Sequence, residues 1–231
     1  FLIANFEHFE IITVNDGSTD ATLNELKKFQ KGFKSLIIDR KVNFGKGKTV
    51  KEGILSSQYD PVMFLDADLA IPIQELNVFM EVLDMGYDIA IASRFVEGVK
   101  VLNRVLWYRK VMENIFRYLR ILILNTGRIH DTQCGFKVFK RSCAIQIFSS
   151  TKINRFAFDS EVIYLAEKMH LKIKELPISL QNPCHSHIRL VRDSANMFFD
   201  LIKININYYL GKYKIGNGGY EKKGHYNSVG R

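Results

Sequence analysis

Short apolar runs alternate with amphipathic helical stretches over the first hundred residues of the chain. The β-branched run FEIITV is stopped by the polar NDGSTD and followed by the helical pattern ATLNELKKFQ. Three further strand-like runs, KSLIIDR, PVMFLDADLA and YDIAIASRF, are separated by the helical stretches TVKEGILSS and IQELNVFMEVLDMG. This alternation predicts an α/β fold with a mostly parallel sheet covered by helices on both faces.

The second half of the chain is dominated by helical patterns. A long pattern from Arg104 to Leu124 mixes apolar residues with arginines, and a helix predicted from Asp159 to Met169 precedes a closing strand that ends at Leu180. Apolar residues at helical spacing then recur in SANMFFDLIKININYYLGKY.

These patterns predict one domain with two appended segments. We expect a single catalytic-type domain over residues 1–194, an amphipathic helix over 195–215, and a polar, glycine-bearing, disordered tail over 216–231. A length of 231 residues and a hydrophobic share of 47% suffice for a sizeable core.

The formal net charge of +9 favours an anionic partner: nucleic acid, anionic lipid or a phosphorylated metabolite. Long apolar stretches lie beside the arginines of 104–124 and the lysines of 195–212, which is typical of a helix on anionic lipid rather than of a nucleic-acid surface. Packing of both helices against the sheet is the alternative. We therefore expect a membrane surface as a partner and no nucleic acid.

We expect a cytoplasmic protein, because the sequence shows no targeting signal and its cysteines are few. The N-terminal residues lack a basic region and a cleavage site, no apolar run approaches the roughly 20 residues that span a bilayer, and three cysteines show no CxxC spacing. We expect reduced thiols and a peripheral position on the cytosolic leaflet.

Charged residues follow three of the predicted strands. Asp16, Arg94 and the pair Asp66 and Asp68 would all lie at the carboxyl edge of the sheet, where ligands of α/β folds bind. At strand spacing the two aspartates of the pair point the same way, and such a pair is suited to Mg²⁺ or Mn²⁺ together with substrate phosphates. Capping of the next helix is the alternative, and the DxD spacing alone does not decide.

Other candidates also allow two interpretations. The loop NFGKGK offers backbone N–H groups and lysines to a phosphate, or it is a turn that needs glycine. Asp16 accepts from a base or ribose, or caps a helix. Arg94 holds phosphate, or pairs at the surface. Asp159 and Glu161 start a helix, where the helix dipole favours carboxylates.

Taken in order, the motifs resemble a known family. IITVNDGSTD, NFGKGKTVKEG, FLDADLA, ASRF, DTQCGFKVFKR and FAFDSEVIYLAEKMHLKIKELPI are similar to those of the family 2 glycosyltransferases, and most similar to the dolichyl-phosphate β-glucosyltransferase and dolichol-phosphate mannose synthase branch. The resemblance implies a single-domain, Rossmann-like GT-A fold, a nucleotide-sugar donor and a divalent metal, Mg²⁺ or Mn²⁺. Ala70 stands where mannose synthases often carry glutamine, which favours the glucosyl branch.

The resemblance also implies roles for individual residues. The donor-binding positions are Asn15, Asp16, Gly17, Gly45, Lys46 and Asp66. The metal ligands are Asp66 and Asp68. The catalytic positions are Asp68, Arg94, Arg109, Asp159 and Glu161, the last two in a positioning role. The positions on the acceptor side are Gln133 and Lys137.

The implied activity is an inverting transfer of a hexose, glucose from UDP-glucose, to a polyprenyl phosphate such as dolichyl or undecaprenyl phosphate. A lipid phosphate is already anionic and has little need of a general base. Two alternatives remain: a family 2 transferase that acts on a saccharide hydroxyl, and a non-catalytic nucleotide-sugar binding protein. The family's first strand is expected ahead of the strand that ends in NDGSTD, and it is not found in the sequence. The domain is therefore expected to be N-terminally truncated, which suggests the second alternative.

Overall fold

A computed structural model describes residues 1–32, 35–101, 107–180 and 190–215 of the chain. The helices are α1 Leu2–Asn5, α2 Thr22–Gly32, α3 Lys46–Ser56, α4 Leu76–Asp84, α5 Trp107–Leu124, α6 Arg141–Ser150, α7 Phe158–Lys168 and α8 Leu190–Tyr209, with a short 3₁₀ turn at Ile73–Glu75. The strands are β1 Ile11–Asp16, β2 Ser35–Arg40, β3 Val62–Leu65, β4 Ile89–Ser93, β5 Lys100–Val101, β6 Phe136–Phe139, β7 Ile173–Pro177 and β8 Ser179–Leu180.

The strands form a mixed set of sheets. β1 pairs with β2 in parallel, β5 with β8 in parallel, and the largest sheet has the order β3-β6-β4-β7. In that sheet β4 and β7 are parallel, whereas β6 is antiparallel to both β3 and β4. Three of the five pairings among the described residues are thus parallel. β6 is antiparallel to β3 because the chain enters β6 at the carboxyl end of β3, where Leu65 pairs with Phe136.

Both faces of the largest sheet are covered, which confirms the predicted α/β architecture. Alternate residues of β3 and β4 point to opposite sides, as the two-residue period of a strand requires. Phe64 and Ile91 belong to a core shared with α6, α7 and α8, and Ala90 and Ala92 belong to a second core built on α4. The charged residues that follow these strands therefore stand at the end of a rigid, doubly packed sheet.

Several boundaries differ from the sequence-based expectation. The amphipathic helix expected over 195–215 is α8, Leu190–Tyr209. α3 begins at Lys46, inside the predicted glycine-rich turn. β3 ends at Leu65, because the N–H of Asp66 donates to the carbonyl of Gly135 (3.0 Å) and the N–H of Leu69 donates back to the carbonyl of Asp66 (3.2 Å). The argument that the aspartate pair has strand spacing is therefore wrong: the pair lies in a turn.

The two basic amphipathic helices are present and pack on one another. α5 and α8 are in contact, and α8 buries Leu201 and Ile204 in the core. Residues 102–106 and the tail 216–231 lie outside the described residues. In the part of the chain that the structure describes, no helix combines the length and apolar character needed to cross a bilayer.

Candidate active site

An ion pair between Asp66 and Lys46 stands at the carboxyl end of β3. Lys46 is the first residue of α3, and its Nζ lies 2.6 Å from Oδ1 of Asp66. The two side chains are 29% and 43% exposed, Lys46 and Asp66 respectively, so both reach solvent. Burial lowers the pKa of Lys46, but the carboxylates of Asp159 and Asp66 outweigh burial, so that the pKa is raised. The lysine is therefore a cation that faces two carboxylates.

Gly135 leaves room for the Asp66 carboxylate. A Cβ placed on Gly135 would lie 2.0 Å from Oδ2 and 2.3 Å from Cγ of Asp66, far closer than atoms can approach. Only glycine fits beside the carboxylate in its present position. The backbone of the DTQCGFK segment thus forms one wall around this acid.

Asp68 completes the acidic turn. Its Oδ1 accepts from the N–H of Ala70 (3.1 Å), and the residue is exposed. The alternative that the pair caps the next helix is wrong, because the next helical turn begins after Pro72 and has no side-chain cap. The bond from Ala70 lies within the acidic turn, and the Asp68 carboxylate still faces solvent. Among the described residues, no cluster of three or more His, Cys, Asp or Glu side chains is poised to hold a metal. The assignment of Asp66 and Asp68 as ligands of a divalent ion stays a prediction.

Asp16 holds the NFGKGK loop against the end of β1. Its Oδ1 accepts from the N–H of Phe44 and from the guanidinium of Arg40, both at 2.9 Å, and its Oδ2 accepts from the N–H of Gly45 at 2.7 Å. Burial raises the pKa of this carboxyl, but the two N–H donors and Arg40 outweigh it, and the net pKa is lowered. Asp16 thus occupies two of the loop's backbone donors.

The neighbouring predicted donor-site residues hold the NDGSTD loop at the end of β1. The Nδ2 of Asn15 donates to Asp39 at 2.7 Å, and its Oδ1 accepts from the N–H of Ser18 at 3.2 Å. Gly17 has φ +75°, and a Cβ there would meet the N atom of Asn43 at 2.8 Å. These residues set the shape of the loop at this edge of the sheet.

Arg94 is held in an ion-pair network rather than presented as an isolated cation. Its Nε and Nη2 donate to both carboxylate oxygens of Asp131, at 2.7 and 3.1 Å, and its Nη1 donates to Glu113 at 2.7 Å. Burial lowers the pKa of Arg94, but Asp131 and Glu113 outweigh it and the pKa is raised. A phosphate would have to share this guanidinium with two carboxylates.

Lys137 and Asp159 form a second pair in the core. Nζ of Lys137 donates to Oδ1 of Asp159 at 2.5 Å and to the carbonyl of Cys134 at 2.6 Å, and it lies 5.0 Å from the centre of the Phe64 ring. The side chains of Lys137 and Asp159 are 0% and 3% exposed. Burial raises the pKa of Asp159, while Lys137 and Lys46 oppose the rise. The pair is beyond direct reach of an acceptor in solvent.

Glu161 is likewise committed to structure. Its carboxylate accepts from the N–H of Lys152 at 2.9 and 3.0 Å, one distance for each oxygen, from the N–H of Ile153 at 2.9 Å, and from the hydroxyl of Tyr213 at 2.7 Å. Burial raises the pKa of Glu161, and these donors oppose it. The segment that Glu161 anchors continues to Asn154, whose carbonyl accepts from the N–H of Lys48 at 3.1 Å.

On the predicted acceptor side, Nε2 of Gln133 donates to the hydroxyl of Ser160 at 3.2 Å. Arg109 falls in α5, but its side chain lies outside the described residues. Cys134, between the two ion pairs, is a free thiol whose pKa is raised to about 12, by burial first and then by Asp131.

The structure thus brings Asp66, Lys46, Asp159 and Lys137 into one electrostatic cluster, and places Arg94 in a neighbouring one. Sequence reasoning missed Arg40 and Asp131. Arg40 ends β2, so the strand-end rule that selected Arg94 would have found it. Asp131 stands inside the HDTQCGFK segment but carries no spacing signal.

The model of one protein family matches residues 2–148, and its description is glycosyl transferase family 2. The chain belongs to this family. Curated relatives named dolichyl-phosphate beta-glucosyltransferase match about nine tenths of the chain: 32% identity over 219 residues in Dictyostelium discoideum, and 30% over 221 residues in Homo sapiens. The alignments cover 65% and 66% of those two proteins, so the chain spans about two thirds of their length.

Solved structures show the same fold. Glucosyl-3-phosphoglycerate synthase from Mycobacterium tuberculosis, solved with Mn²⁺, UDP-glucose and phosphoglyceric acid, aligns with a TM-score of 0.60 at 16% identity. The alignment covers 85% of this chain and 67% of that one. Another structure of that enzyme aligns with a TM-score of 0.57 at 17% identity over 90% of this chain and 70% of that one.

Proposed function

We propose that this protein transfers glucose from UDP-glucose to a polyprenyl phosphate, and that dolichyl phosphate is the first acceptor to test. The observation that carries the proposal is the half-exposed Asp66, which stands at the carboxyl end of β3 next to Lys46 at the start of α3. A carboxylate and a cation at this edge suit a metal-bound diphosphate. The names of the relatives support the reaction.

The residues present fit a divalent metal. Asp66 and Asp68 provide exposed carboxylate oxygens in one turn, and Gly135 leaves the space that Asp66 occupies. Mg²⁺ and Mn²⁺ take one or two carboxylates and complete their coordination with phosphate oxygens and water. When bound, such an ion neutralises the departing nucleoside diphosphate. Lys46 would contribute a second positive charge next to it.

Neither Asp159 nor Glu161 is available as a general base at the acceptor end of the site. Asp159 is paired with Lys137, and Glu161 accepts from two backbone N–H groups and Tyr213. This favours an acceptor that is already anionic, such as a lipid phosphate, over a saccharide hydroxyl that must lose a proton. Attack opposite the leaving diphosphate would give a β-linked product from an α-linked donor.

An exposed apolar surface on α5 supports a membrane-bound acceptor. Val111, Ile115, Tyr118 and Leu122 recur at helical spacing, and Tyr118 and Leu122 are 64% and 81% exposed. Arg117 stands on the same helix, next to Tyr118. Apolar side chains beside basic ones are typical of helices that lie in the headgroup region of anionic membranes. We propose a peripheral position on the cytosolic leaflet, with α5 against the lipid.

Transfer of radiolabelled sugar to dolichyl phosphate in liposomes tests the reaction. UDP-glucose and GDP-mannose are compared with and without Mn²⁺, using the wild type, Asp66→Asn, and the exposed Asp84→Asn as matched control. We expect lipid-linked product from UDP-glucose with Mn²⁺, loss of more than about 100-fold in Asp66→Asn, and wild-type turnover in Asp84→Asn. No lipid-linked product from either donor would refute the proposal.

Liposome co-sedimentation tests the membrane contact. Leu122→Ser should weaken binding to anionic vesicles, whereas Met85→Ser, an equally exposed apolar residue at the end of α4, should leave binding unchanged. Equal binding by both variants would show that α5 does not contact the lipid.

A further inference from the structure

Lys46 contacts a half-exposed carboxylate and is influenced by the charge of a buried one. Its Nζ contacts Oδ1 of Asp66 at 2.6 Å, and the negative charge of Asp159 acts on it from the core side. Asp159 in turn is bonded to Lys137 at 2.5 Å. The charges therefore alternate from solvent to core: Asp66, Lys46, Asp159, Lys137.

The backbone around Lys46 is fixed on both sides. Gly45 has φ +101°, and a Cβ there would lie 2.6 Å from the carbonyl oxygen of Asn154. A Cβ on Gly47 would lie 2.6 Å from the carbonyl oxygen of Ile153. The main chain of this turn is pressed against the 153–154 segment and has no room to move towards it. Any change of partner by Lys46 must therefore occur through its side chain.

We propose that Lys46 is the resident counter-ion of Asp66 in the metal-free protein, and that a divalent cation displaces its ammonium group from Oδ1. The displaced ammonium stays within the field of Asp159 and becomes available to the diphosphate. The proposal rests on the proposed function, since it takes Asp66 as a metal ligand.

Competition follows from the chemistry of the two cations. The ammonium of lysine carries three donors and no acceptor. It therefore occupies a lone pair of the carboxylate and cannot itself serve as a ligand for a metal ion. Oδ2 of Asp66 is turned towards Gly135, at 2.0 Å from where a Cβ would be, and Oδ1 carries Lys46. A metal ion that approaches Asp66 thus meets a like charge at the oxygen it needs.

Displacement is feasible because both partners of the exposed pair keep an opposite charge. Asp66 receives the metal, and Lys46 retains Asp159, so no buried charge is left without compensation. A half-exposed ion pair is also weak compared with a buried one. Lys46 can therefore leave Asp66, whereas Lys137 cannot leave Asp159 at similar cost.

Mn²⁺ binding without any sugar nucleotide tests the competition, with free Mn²⁺ measured by electron paramagnetic resonance. The variants are Lys46→Met, which removes the charge at similar length, Lys46→Arg, which keeps it, and Lys48→Met as matched control. Lys48 also lies in α3 but pairs with Glu52 at 3.4 Å, not with Asp66. We expect Lys46→Met to bind Mn²⁺ about tenfold more tightly than wild type, and Lys48→Met and Lys46→Arg to stay within about twofold.

Asp66→Asn separates failure of this inference from failure of the proposed function. If Asp66→Asn abolishes Mn²⁺ binding but Lys46→Met binds no more tightly than Lys48→Met, the metal site stands and the counter-ion role of Lys46 is refuted. If Asp66→Asn binds Mn²⁺ as wild type does, Asp66 is not a metal ligand, and both this inference and the metal site of the proposed function are refuted. Thermal unfolding of each variant checks that the fold is retained.

Discussion

Replacing Gly135 with alanine tests whether the position of the Asp66 carboxylate governs the site. The new Cβ would lie 2.0 Å from Oδ2 of Asp66, whereas real Cβ contacts stay beyond 3.0 Å. The carboxylate must therefore move by at least about 1 Å, away from Lys46 or into solvent. Gly135 does not have a positive φ, so alanine suits its backbone and the effect is confined to this clash.

The expected magnitudes separate stability from function. The pair that is disturbed is half-exposed and contributes at most about 1 kcal/mol, so the midpoint of thermal unfolding should fall by only about 2–4 °C. A shift of about 1 Å in a group that positions the reacting atoms can cost about 100-fold in turnover. We expect Gly135→Ala to lose that much transferase activity and to bind Mn²⁺ more weakly.

The matched control is Gly127→Ala, because the nearest atom to its new Cβ is Cγ2 of Ile121 at 3.8 Å, an ordinary contact. Scanning calorimetry, Mn²⁺ titration and glucosyl transfer are measured on both variants. If Gly135→Ala matches Gly127→Ala in metal affinity and turnover, the position of Asp66 does not matter and the reasoning is refuted. A fall in the unfolding midpoint of more than about 10 °C would show that the backbone, and not the carboxylate, absorbs the clash.

Three further predictions concern the charges around the site, and each is tested by urea denaturation. Asp131→Asn leaves Arg94 with one carboxylate partner fewer in a buried pair and should cost about 3 kcal/mol; a loss below about 1 kcal/mol would show that the pair is not structural. Asp159→Asn should cost about 3–5 kcal/mol because Lys137 stays buried and charged, and the double variant Asp159→Leu with Lys137→Met should recover most of that loss. The pKa of Asp16 in the folded protein lies below its ordinary value of 3.8, so its stabilisation is complete above pH 3.8 and is lost as the pH falls through the folded-state pKa. Asp16→Asn should thus be about 2 kcal/mol less stable than wild type at pH 7, and the difference should narrow towards pH 3; a constant difference would contradict the assignment.

The placement of charged residues at strand ends was predictable from the sequence. Asp16, Asp66 and Arg94 each follow a short apolar run, and the structure ends β1 at the first and places the other two directly after β3 and β4. The signal is local, because a buried strand needs apolar residues on both faces and a polar residue marks its end. The same logic applies to Arg40 at the end of β2.

The partners of those residues were not predictable. Lys46 and Asp66 are brought together by the packing of the Gly45 turn against the 153–154 segment, which no spacing along the chain encodes. Asp131 reaches Arg94 only because the segment before β6 returns to the carboxyl end of the sheet. The antiparallel direction of β6 has the same origin, since a strand of four residues carries no information on its own direction.

Burial decides which of these charged groups can exchange partners when substrate binds. Removing one member of a buried pair costs about 3–5 kcal/mol, which rules out Lys137 and Asp159 as groups that release one another during turnover. The side chains of Lys46 and Asp66 are 29% and 43% exposed, and separating them costs about 1 kcal/mol or less, which one phosphate or metal contact can restore. Asp68 is exposed, and among the described residues the hydrogen-bond partner of its carboxylate is the N–H of Ala70. The buried pair Lys137 and Asp159 thus keeps its position during turnover. Lys46, Asp66 and Asp68 are the groups that can change partners when a ligand binds.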